Sequence, residues 1–222
     1  SGGLFLIRVE DTDRERSKKE YEEDIISGLE WLGISPDKKP IRQSERSNIY
    51  QKAVEKLIDS GNAYWCDCSP EDLERMREQQ AAAGKKPMYD GRSRDLGITR
   101  SDNTVLRLAT PLEGETVVND LIRGAITFKN SELDDLILLR SDGTPTYHFC
   151  NVVDDYDQGV TSVIRGEDHI SNTPRQIHIQ KALGYPKLEY AHLPLVLGED
   201  KKRLSKRHAA TSLNAYKDMG FT

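Results

Sequence analysis

The fold class is decided by residues 160–184, whose sequence is VTSVIRGEDHISNTPRQIHIQKALG. Residues 160–165 are rich in β-branched side chains and predict a strand. A helix is predicted from residues 171–174, which supply capping side chains and a proline, to Gly184, a residue type that commonly ends helices. The apolar run at 193–197 predicts a second, buried strand. This order of strand, helix and strand is typical of an α/β sheet.

The N-terminal part of the chain repeats this pattern. Residues 4–9 predict a strand, and a helix follows in which Ser17 and Glu20 would form a capping box. The apolar face of that helix would consist of Tyr21, Ile25, Leu29 and Leu32. A second amphipathic helix is predicted after residues 43–46 and ends at Gly61.

Between residues 66 and 143 the pattern changes to a smaller α+β block. A helix begins with Ser69 as cap and Pro70 at its first position, and short strands are predicted at 104–108, 116–118, 125–128 and 136–140. Residues 146–153 fit either a strand or a helix, and a last helix is predicted from 211–212. We therefore predict one α/β domain, residues 1–65 and 144–213, interrupted by an insertion at 66–143.

The composition indicates a charge-rich globular protein. The 222 residues are 36% hydrophobic and 31% charged, and no apolar run approaches the roughly 20 residues that a membrane span requires. The net charge of -5 argues against a general nucleic-acid coat, although a local basic face suffices for a nucleic-acid enzyme. Three cysteines are too few for a disulfide framework and suit a reducing compartment.

Neither a Gly-x-Gly-x-x-Gly motif nor a Walker A phosphate loop occurs in the sequence, so any nucleotide would be bound in another way. The most informative loop is residues 200–208, DKKRLSKRH, which places five cations between a predicted strand and a predicted helix. In α/β sheets ligands bind at the carboxyl ends of strands, where such a loop can hold a polyphosphate. By composition alone, a solvated basic loop is the simpler interpretation.

Four segments, in this order along the chain, resemble motifs of the glutamyl-tRNA synthetases, which are class I aminoacyl-tRNA synthetases. They are RVEDTD at 8–13, TYHFCNVVDD at 146–155, IRGEDH at 164–169 and RLSKR at 203–207. The last resembles the KMSKS signature in its K-L-S-K-R form, with Arg203 in place of the first lysine. Four ordered motifs are far more specific than one. The resemblance implies a Rossmann-like class I synthetase nucleotide-binding fold, an acceptor-stem-binding insertion, and a stem-contact region that begins at 214–222.

The resemblance also implies the site residues. The glutamate pocket would consist of Glu10, Tyr147, Asn151 and Arg165. ATP would be bound by Asp168, His169, Val196, Arg203, Leu204, Ser205, Lys206 and Arg207, of which Lys206, Arg203 and Ser205 would take part in catalysis. The residues expected to contact tRNA are Arg16, Lys85, Lys86, Arg92 and Arg94. Arg165 can pair in bidentate fashion with a substrate carboxylate, and Glu10 can take the substrate ammonium group. A structural ion pair is the alternative role of Arg165.

The implied reaction activates L-glutamate with ATP and Mg²⁺ to glutamyl-adenylate and transfers it to the 3′ end of tRNA(Glu). The attacking atoms would belong to the substrates, so the protein would act by positioning and charge stabilisation. We expect a cytoplasmic monomer, and an organellar location stays open. By the resemblance, the HIGH segment would precede residue 1 and the anticodon-binding region would follow residue 222, so residues 1–222 alone are expected to form the adenylate poorly. Whether glutamine tRNAs are also charged stays open.

Some relatives bind zinc in the insertion through Cys-x-Cys and later tyrosine, cysteine or histidine residues. This sequence has Cys66, Cys68 and Tyr89, but Ser93 and Asp95 stand at the later positions. Because a tetrahedral zinc site needs four good nitrogen or sulfur ligands, we predict that this chain binds no zinc.

Two alternative functions stay open at this point. One is a glutamyl-Q tRNA synthetase that acts on tRNA(Asp), against which Thr12 and the degenerate zinc site argue. The other is a non-catalytic tRNA-binding module.

Overall fold

A computed structural model describes residues 2–12, 17–198 and 213–221. The chain divides into two compact units, which are Ser1–Arg46 with Pro194–Thr222 and Ser47–Leu193. None of the helices in the described ranges is both long enough and apolar enough to cross a bilayer.

The described residues form the following helices and strands. The helices are α1 (Lys19–Trp31), α2 (Ser47–Asp59), α3 (Pro70–Ala82), α4 (Tyr147–Asp157), α5 (Thr173–Leu183) and α6 (Leu213–Asp218). The strands are β1 (Arg8–Val9), β2 (Ile41–Arg42), β3 (Ala63–Cys66), β4 (Val105–Leu108), β5 (Glu115–Asp120), β6 (Gly124–Lys129), β7 (Ile137–Leu139), β8 (Ser162–Gly166) and β9 (Glu189–Leu193). The undecided stretch 146–153 therefore lies at the start of a helix, α4.

The smaller unit is built on a parallel pair of short strands, β1 and β2. Asp11 follows β1 and accepts hydrogen bonds from the Ser44 amide at 2.8 Å and from the Ser44 hydroxyl at 2.6 Å. Helix α1 packs on α6 at Gly28, where an added Cβ would come within 2.8 Å of the Leu213 side chain. The hydrogen bonds between Asp11 and Ser44 tie the acidic motif that begins at β1 to the turn after β2.

Two predictions for this unit, the bounds of the first strand and the cap of α1, are wrong in detail. The first strand covers only Arg8–Val9 rather than residues 4–9, because only these two residues pair with β2. Ser17 does not cap α1: the N-cap residue is Lys18, which makes no side-chain capping hydrogen bond. The predicted apolar face is largely exposed, since Tyr21 is 51% and Ile25 is 62% accessible.

The larger unit has its main core between three helices and an antiparallel sheet. The sheet has the strand order β3-β4-β7, and helices α2, α4 and α5 supply the other side of the core. Fully buried side chains of this core include Leu57, Leu106, Leu138 and Phe149. Helix α3 begins at the predicted place, with Ser69 and Asp72 in a capping box.

A second sheet of the larger unit has the order β6-β5-β9-β8. The hairpin β5–β6 is antiparallel, whereas β9 runs parallel to both β5 and β8. Strand β9 ends at Leu193, so the prediction of a strand at 193–197 is wrong. Val196 is 70% exposed, because the ladder between β8 and β9 stops at the pair Gly166 and Leu193. In this sheet, β5 and β6 come from the predicted insertion and β8 and β9 from the predicted α/β domain. The division of the chain into domains at 66 and 143 stays a prediction.

Candidate functional site

Arg165, the residue predicted to bind a carboxylate, lies near the carboxyl end of β8. Its Nε donates to Nε2 of His192 at 3.2 Å, and its Nη2 donates to the Thr173 hydroxyl at 2.9 Å. A longer contact joins Nη2 to the carbonyl oxygen of His169 at 3.4 Å. Within the described ranges the guanidinium makes no ion pair with a carboxylate, so the structural ion pair considered as its alternative role is not formed there.

The electrostatics of Arg165 favour an anionic ligand. Burial lowers the pKa of Arg165 from its ordinary value, because the charged form loses hydration. The Tyr190 ring lies beneath the guanidinium, with 5.8 Å from Cζ to the ring centroid. A half-buried cation with neutral protein partners is stabilised when a carboxylate approaches it.

Tyr147 and Asn151 lie one turn apart on α4 and therefore face the same side of the helix. Asn151 is only 6% exposed. The Tyr147 ring has its centroid 6.5 Å from that of His169, whose carbonyl oxygen accepts from Arg165. Three of the four residues predicted to bind glutamate thus belong to one unit, and Tyr147 and Arg165 have a common neighbour in His169.

The fourth predicted residue, Glu10, belongs to the smaller unit. Its carboxylate lies 3.7 Å from the guanidinium of Arg8. Asp11, its neighbour in the acidic motif, is held by Ser44 as described above.

The residues predicted to contact ATP fall in three places. Asp168 and His169 lie in the short 3₁₀ helix Glu167–Asn172 that follows β8, with 3.9 Å between Oδ2 and Nε2. Val196 follows β9 in the chain and is exposed. The predicted residues Arg203, Leu204, Ser205, Lys206 and Arg207 lie outside the described residues, as does Arg16, a predicted tRNA contact.

Of the other predicted tRNA contacts, Arg94 has a structural partner. Its Nε donates to Asp135 Oδ2 at 2.7 Å and its Nη2 donates to the Thr110 carbonyl oxygen at 2.7 Å. Arg92 pairs with the neighbouring Asp90 at 2.8 Å, while Lys85 and Lys86 are exposed. The tRNA role of these four residues stays a prediction.

Cys66, Cys68 and Tyr89 come together but do not form a good zinc site. The Cys66 sulfur lies 3.4 Å from the Tyr89 hydroxyl and accepts from the Ser93 hydroxyl at 3.5 Å. Burial alone raises the pKa of Cys66, but the hydrogen bonds of Tyr89 and Ser93 outweigh it and lower that pKa to about 7.

Burial raises the pKa of Tyr89 to about 12, so its phenol stays protonated at neutral pH. Two cysteine sulfurs supply only half of the ligands of a structural zinc ion, and the two neutral hydroxyl groups do not replace the thiolate or imidazole ligands that complete such a site. Clusters of three or more histidine, cysteine, aspartate or glutamate side chains placed to hold a metal are absent from the described ranges. The predicted lack of zinc is checked by metal analysis of the purified protein.

A buried pair behind Arg165, Asp120 and His192, was missed by sequence reasoning. Nδ1 of His192 lies 2.6 Å from Asp120 Oδ2, and both side chains are fully buried. Burial alone raises the pKa of Asp120, but hydrogen bonds from the Arg123 amide, the His192 ring and the Ile122 amide hold it below its usual range. The two residues are 72 positions apart, so no local motif joins them. Both residues lie just outside the strands that the sequence predicts, at 116–118 and 193–197, so no sequence signal marks the pair.

Parallel strands β8 and β9 end at the same edge of their sheet, and Arg165 and His192 lie paired near that edge. Ligands of α/β nucleotide-binding folds bind at such an edge, and the molecule has this fold class. The family model for the catalytic domain of class I tRNA synthetases (E and Q) matches residues 1–222. The chain belongs to this family, which confirms the predicted Rossmann-like class I fold and implies the use of ATP.

Individual relatives agree with this assignment. Over 219 residues the chain is 54% identical to a glutamate–tRNA ligase of Thermodesulfovibrio yellowstonii, covering 99% of this chain and 47% of the relative. It is 55% identical over 221 residues to the glutamate–tRNA ligase of Geobacter sulfurreducens, again with 99% and 47% covered.

A solved structure is also similar to this chain. It is a glutamate tRNA ligase from Elizabethkingia meningosepticum in complex with its amino acid, with a TM-score of 0.83 and 34% identity. The match covers 99% of this chain and 47% of that one. The chain thus spans about half the length of the relatives that it matches.

Proposed function

We propose that the protein to which this chain belongs is a glutamate–tRNA ligase, which activates L-glutamate with ATP and transfers it to tRNA(Glu). The observation that carries the proposal is Arg165, a half-buried cation near the end of β8 whose described partners are all neutral. The similarity to named glutamate–tRNA ligases supports the same substrate.

The proposed roles in the pocket follow from chemistry. Arg165 binds the side-chain carboxylate of glutamate through the hydrogens that its protein partners leave available. Tyr147 and Asn151 supply neutral hydrogen-bonding groups, and Glu10 receives the ammonium group. Because glutamine lacks the charge that Arg165 requires, the pocket favours glutamate over glutamine.

The proposed ATP site uses Asp168, His169, Val196 and the segment 203–207, with Mg²⁺ arriving bound to the nucleotide. Lys206, Arg203 and Ser205 would stabilise the charge that develops on the phosphates. Lys85, Lys86, Arg92 and Arg94 are proposed to face the acceptor stem. We propose a cytoplasmic monomer that holds no zinc.

The test uses the full-length protein with Arg165→Lys, which keeps the charge but loses the planar fork of donors. Aminoacylation of tRNA(Glu) with radiolabelled glutamate should show a KM for glutamate that is about tenfold higher or more, since one lost charge-assisted contact is worth at least that factor. The KM for ATP should change little. Arg77→Lys on the exposed side of α3 is the matched control and should change neither constant.

The same assay separates the alternatives. Unchanged glutamate KM in Arg165→Lys would contradict the proposed pocket. Glutamylation of tRNA(Asp) instead of tRNA(Glu) would favour the glutamyl-Q tRNA synthetase reading, and tRNA binding without any glutamylation would favour a binding module.

A further inference from the structure

The orientation of Arg165 depends on the proton carried by His192. A guanidinium group can only donate hydrogen bonds. Two groups lie 3.2 Å from His192 Nε2, the Arg165 Nε and the Thr173 hydroxyl. A hydroxyl can donate or accept, but Arg165 Nε can only donate, so its contact requires Nε2 to accept and places the proton of the neutral imidazole on Nδ1. Nδ1 then donates to Asp120 Oδ2, with 2.6 Å between the two atoms. The carboxylate thus selects the one tautomer that can receive Arg165.

Asp120 is itself held rigidly. Its Oδ1 accepts from the Arg123 amide at 2.9 Å, the Ile122 amide at 3.0 Å and the His192 amide at 3.3 Å. These donors come from the turn after β5 and from β9, so the carboxylate cannot rotate without breaking backbone contacts. A fixed carboxylate fixes the imidazole, in the same way that carboxylates orient histidines in metal and catalytic sites.

The register of the sheet places Asp120, His192 and Arg165 on three neighbouring strands. Asp120 on β5 pairs with Tyr190, two residues before His192 on β9, and His192 pairs with Arg165 on β8. Nε and Nη2 of the guanidinium are occupied by His192 and Thr173, and Nη1 has no hydrogen-bond partner within the described ranges. One edge of the guanidinium is therefore anchored while Nη1 stays available to a ligand.

We propose that Asp120 and His192 are positioning residues, which set the plane of the Arg165 guanidinium for the side-chain carboxylate of the amino acid substrate. This inference rests on the proposed function. By this inference the hairpin β5–β6, which belongs to the predicted insertion, takes part in amino acid recognition. It does so through Asp120 and His192, without touching the substrate itself.

Two substitutions at His192 separate its two contacts. His192→Asn keeps a donor at the place of Nδ1, toward Asp120, but has no acceptor that reaches Arg165. His192→Gln can place its amide oxygen at the position of Nε2, toward Arg165, but no longer donates to Asp120. In aminoacylation by the full-length protein, we expect His192→Asn to raise the KM for glutamate about tenfold, the value of one hydrogen bond to a charged group. His192→Gln should keep most of the affinity for glutamate that His192→Asn loses. Neither substitution should change the KM for ATP.

Asp120→Asn tests the choice of tautomer. An asparagine amide can donate to Nδ1, which moves the imidazole proton to Nε2 and directs it at the Arg165 donor. We expect the KM for glutamate to rise by about tenfold or more. His178→Gln is the matched control, because His178 is also a buried histidine of this unit but contacts Thr116 and not Arg165. It can lower the melting temperature and should leave the KM for glutamate unchanged.

A structural role alone predicts a different result: the KM for glutamate would be unchanged in His192→Asn, or would rise equally in both His192 variants in step with lost melting temperature. Either outcome overturns the proposal. If Arg165→Lys raises the KM for glutamate but His192→Asn does not, only the positioning role fails. If Arg165→Lys has no effect, the proposed pocket fails first.

Nitrogen NMR of the histidines in the unmodified protein tests the tautomer without any variant, so its result does not depend on how the variants fold. It should show His192 protonated on Nδ1, and a proton on Nε2 would overturn the proposal.

Discussion

The hydroxyl of Tyr50 on α2 donates to Asp154 Oδ2 on α4 at 2.9 Å, and both side chains are buried. Removal of this hydroxyl leaves a buried carboxylate with one donor fewer, which costs more than an exposed hydrogen bond. We expect Tyr50→Phe to lower the free energy of unfolding by about 1–3 kcal/mol. Urea denaturation followed by circular dichroism measures the change.

Tyr156→Phe is the matched control for that experiment. Tyr156 is 52% exposed and stacks on Tyr185 with 3.8 Å between the ring centroids, a contact that does not need the hydroxyl. Its substitution should change the free energy of unfolding by less than about 0.5 kcal/mol. An equal decrease in the free energy of unfolding of the two variants would show that the hydrogen bond between Tyr50 and Asp154 stabilises the fold no more than an exposed tyrosine hydroxyl does.

At the scale of elements, two serines with the same sequence signal behave differently. The Ser69 hydroxyl accepts from the Asp72 amide at 3.1 Å and completes a capping box at the start of α3, whereas Ser17 is not the N-cap of α1. Ser69→Ala should therefore lower the free energy of unfolding by about 1 kcal/mol. Ser17→Ala should be close to neutral. Thermal and urea unfolding of both variants check the pair, and a neutral Ser69→Ala would contradict the capping role.

These serines show what the sequence can and cannot determine. Ser69 is followed by a proline that fixes the first turn of α3, so the local sequence suffices to place the helix start. Ser17 follows the acidic motif, and the backbone entry to α1 places Lys18 at the N-cap instead. A capping motif therefore predicts a helix well only where a second local constraint supports it.

Strand β9 shows the same limit from the opposite direction. The apolar run at 193–197 was the better local candidate for a buried strand, but the strand is EYAHL at Glu189–Leu193. The strand accommodates the buried polar residue His192 because its imidazole is hydrogen-bonded to Asp120, which lies on a strand far away in sequence. Motif resemblance predicts Arg165, Tyr147 and Asn151 as site residues, but a contact between residues 72 positions apart leaves no local pattern.

At the scale of the whole molecule, buried histidines link folding to pH. Burial lowers the pKa of His148 and of His178 to about 4, from an ordinary value of 6.5, because the imidazolium loses hydration. Above pH 6.5 the two imidazoles are mostly neutral in both the folded and the unfolded chain, and their contribution to the free energy of unfolding is fully present. As the pH falls below 6.5 the unfolded chain takes up protons first, so stability is lost down to about pH 4.

His178→Gln isolates one of these two contributions. His178 Nε2 lies 2.9 Å from the Thr116 hydroxyl, which donates onward to Asn130 Oδ1 at 2.7 Å, so Nε2 is the donor in the folded state. The glutamine amide can supply the same donor without a site that protonates. Between about pH 7 and about pH 5, the free energy of unfolding of the unmodified protein should fall by on the order of 2 kcal/mol more than that of His178→Gln. Contributions from carboxylates are common to both proteins and cancel in the difference. Urea unfolding of both at the two pH values measures it, and parallel pH dependence would mean that His178 is protonated equally in the folded and unfolded chains.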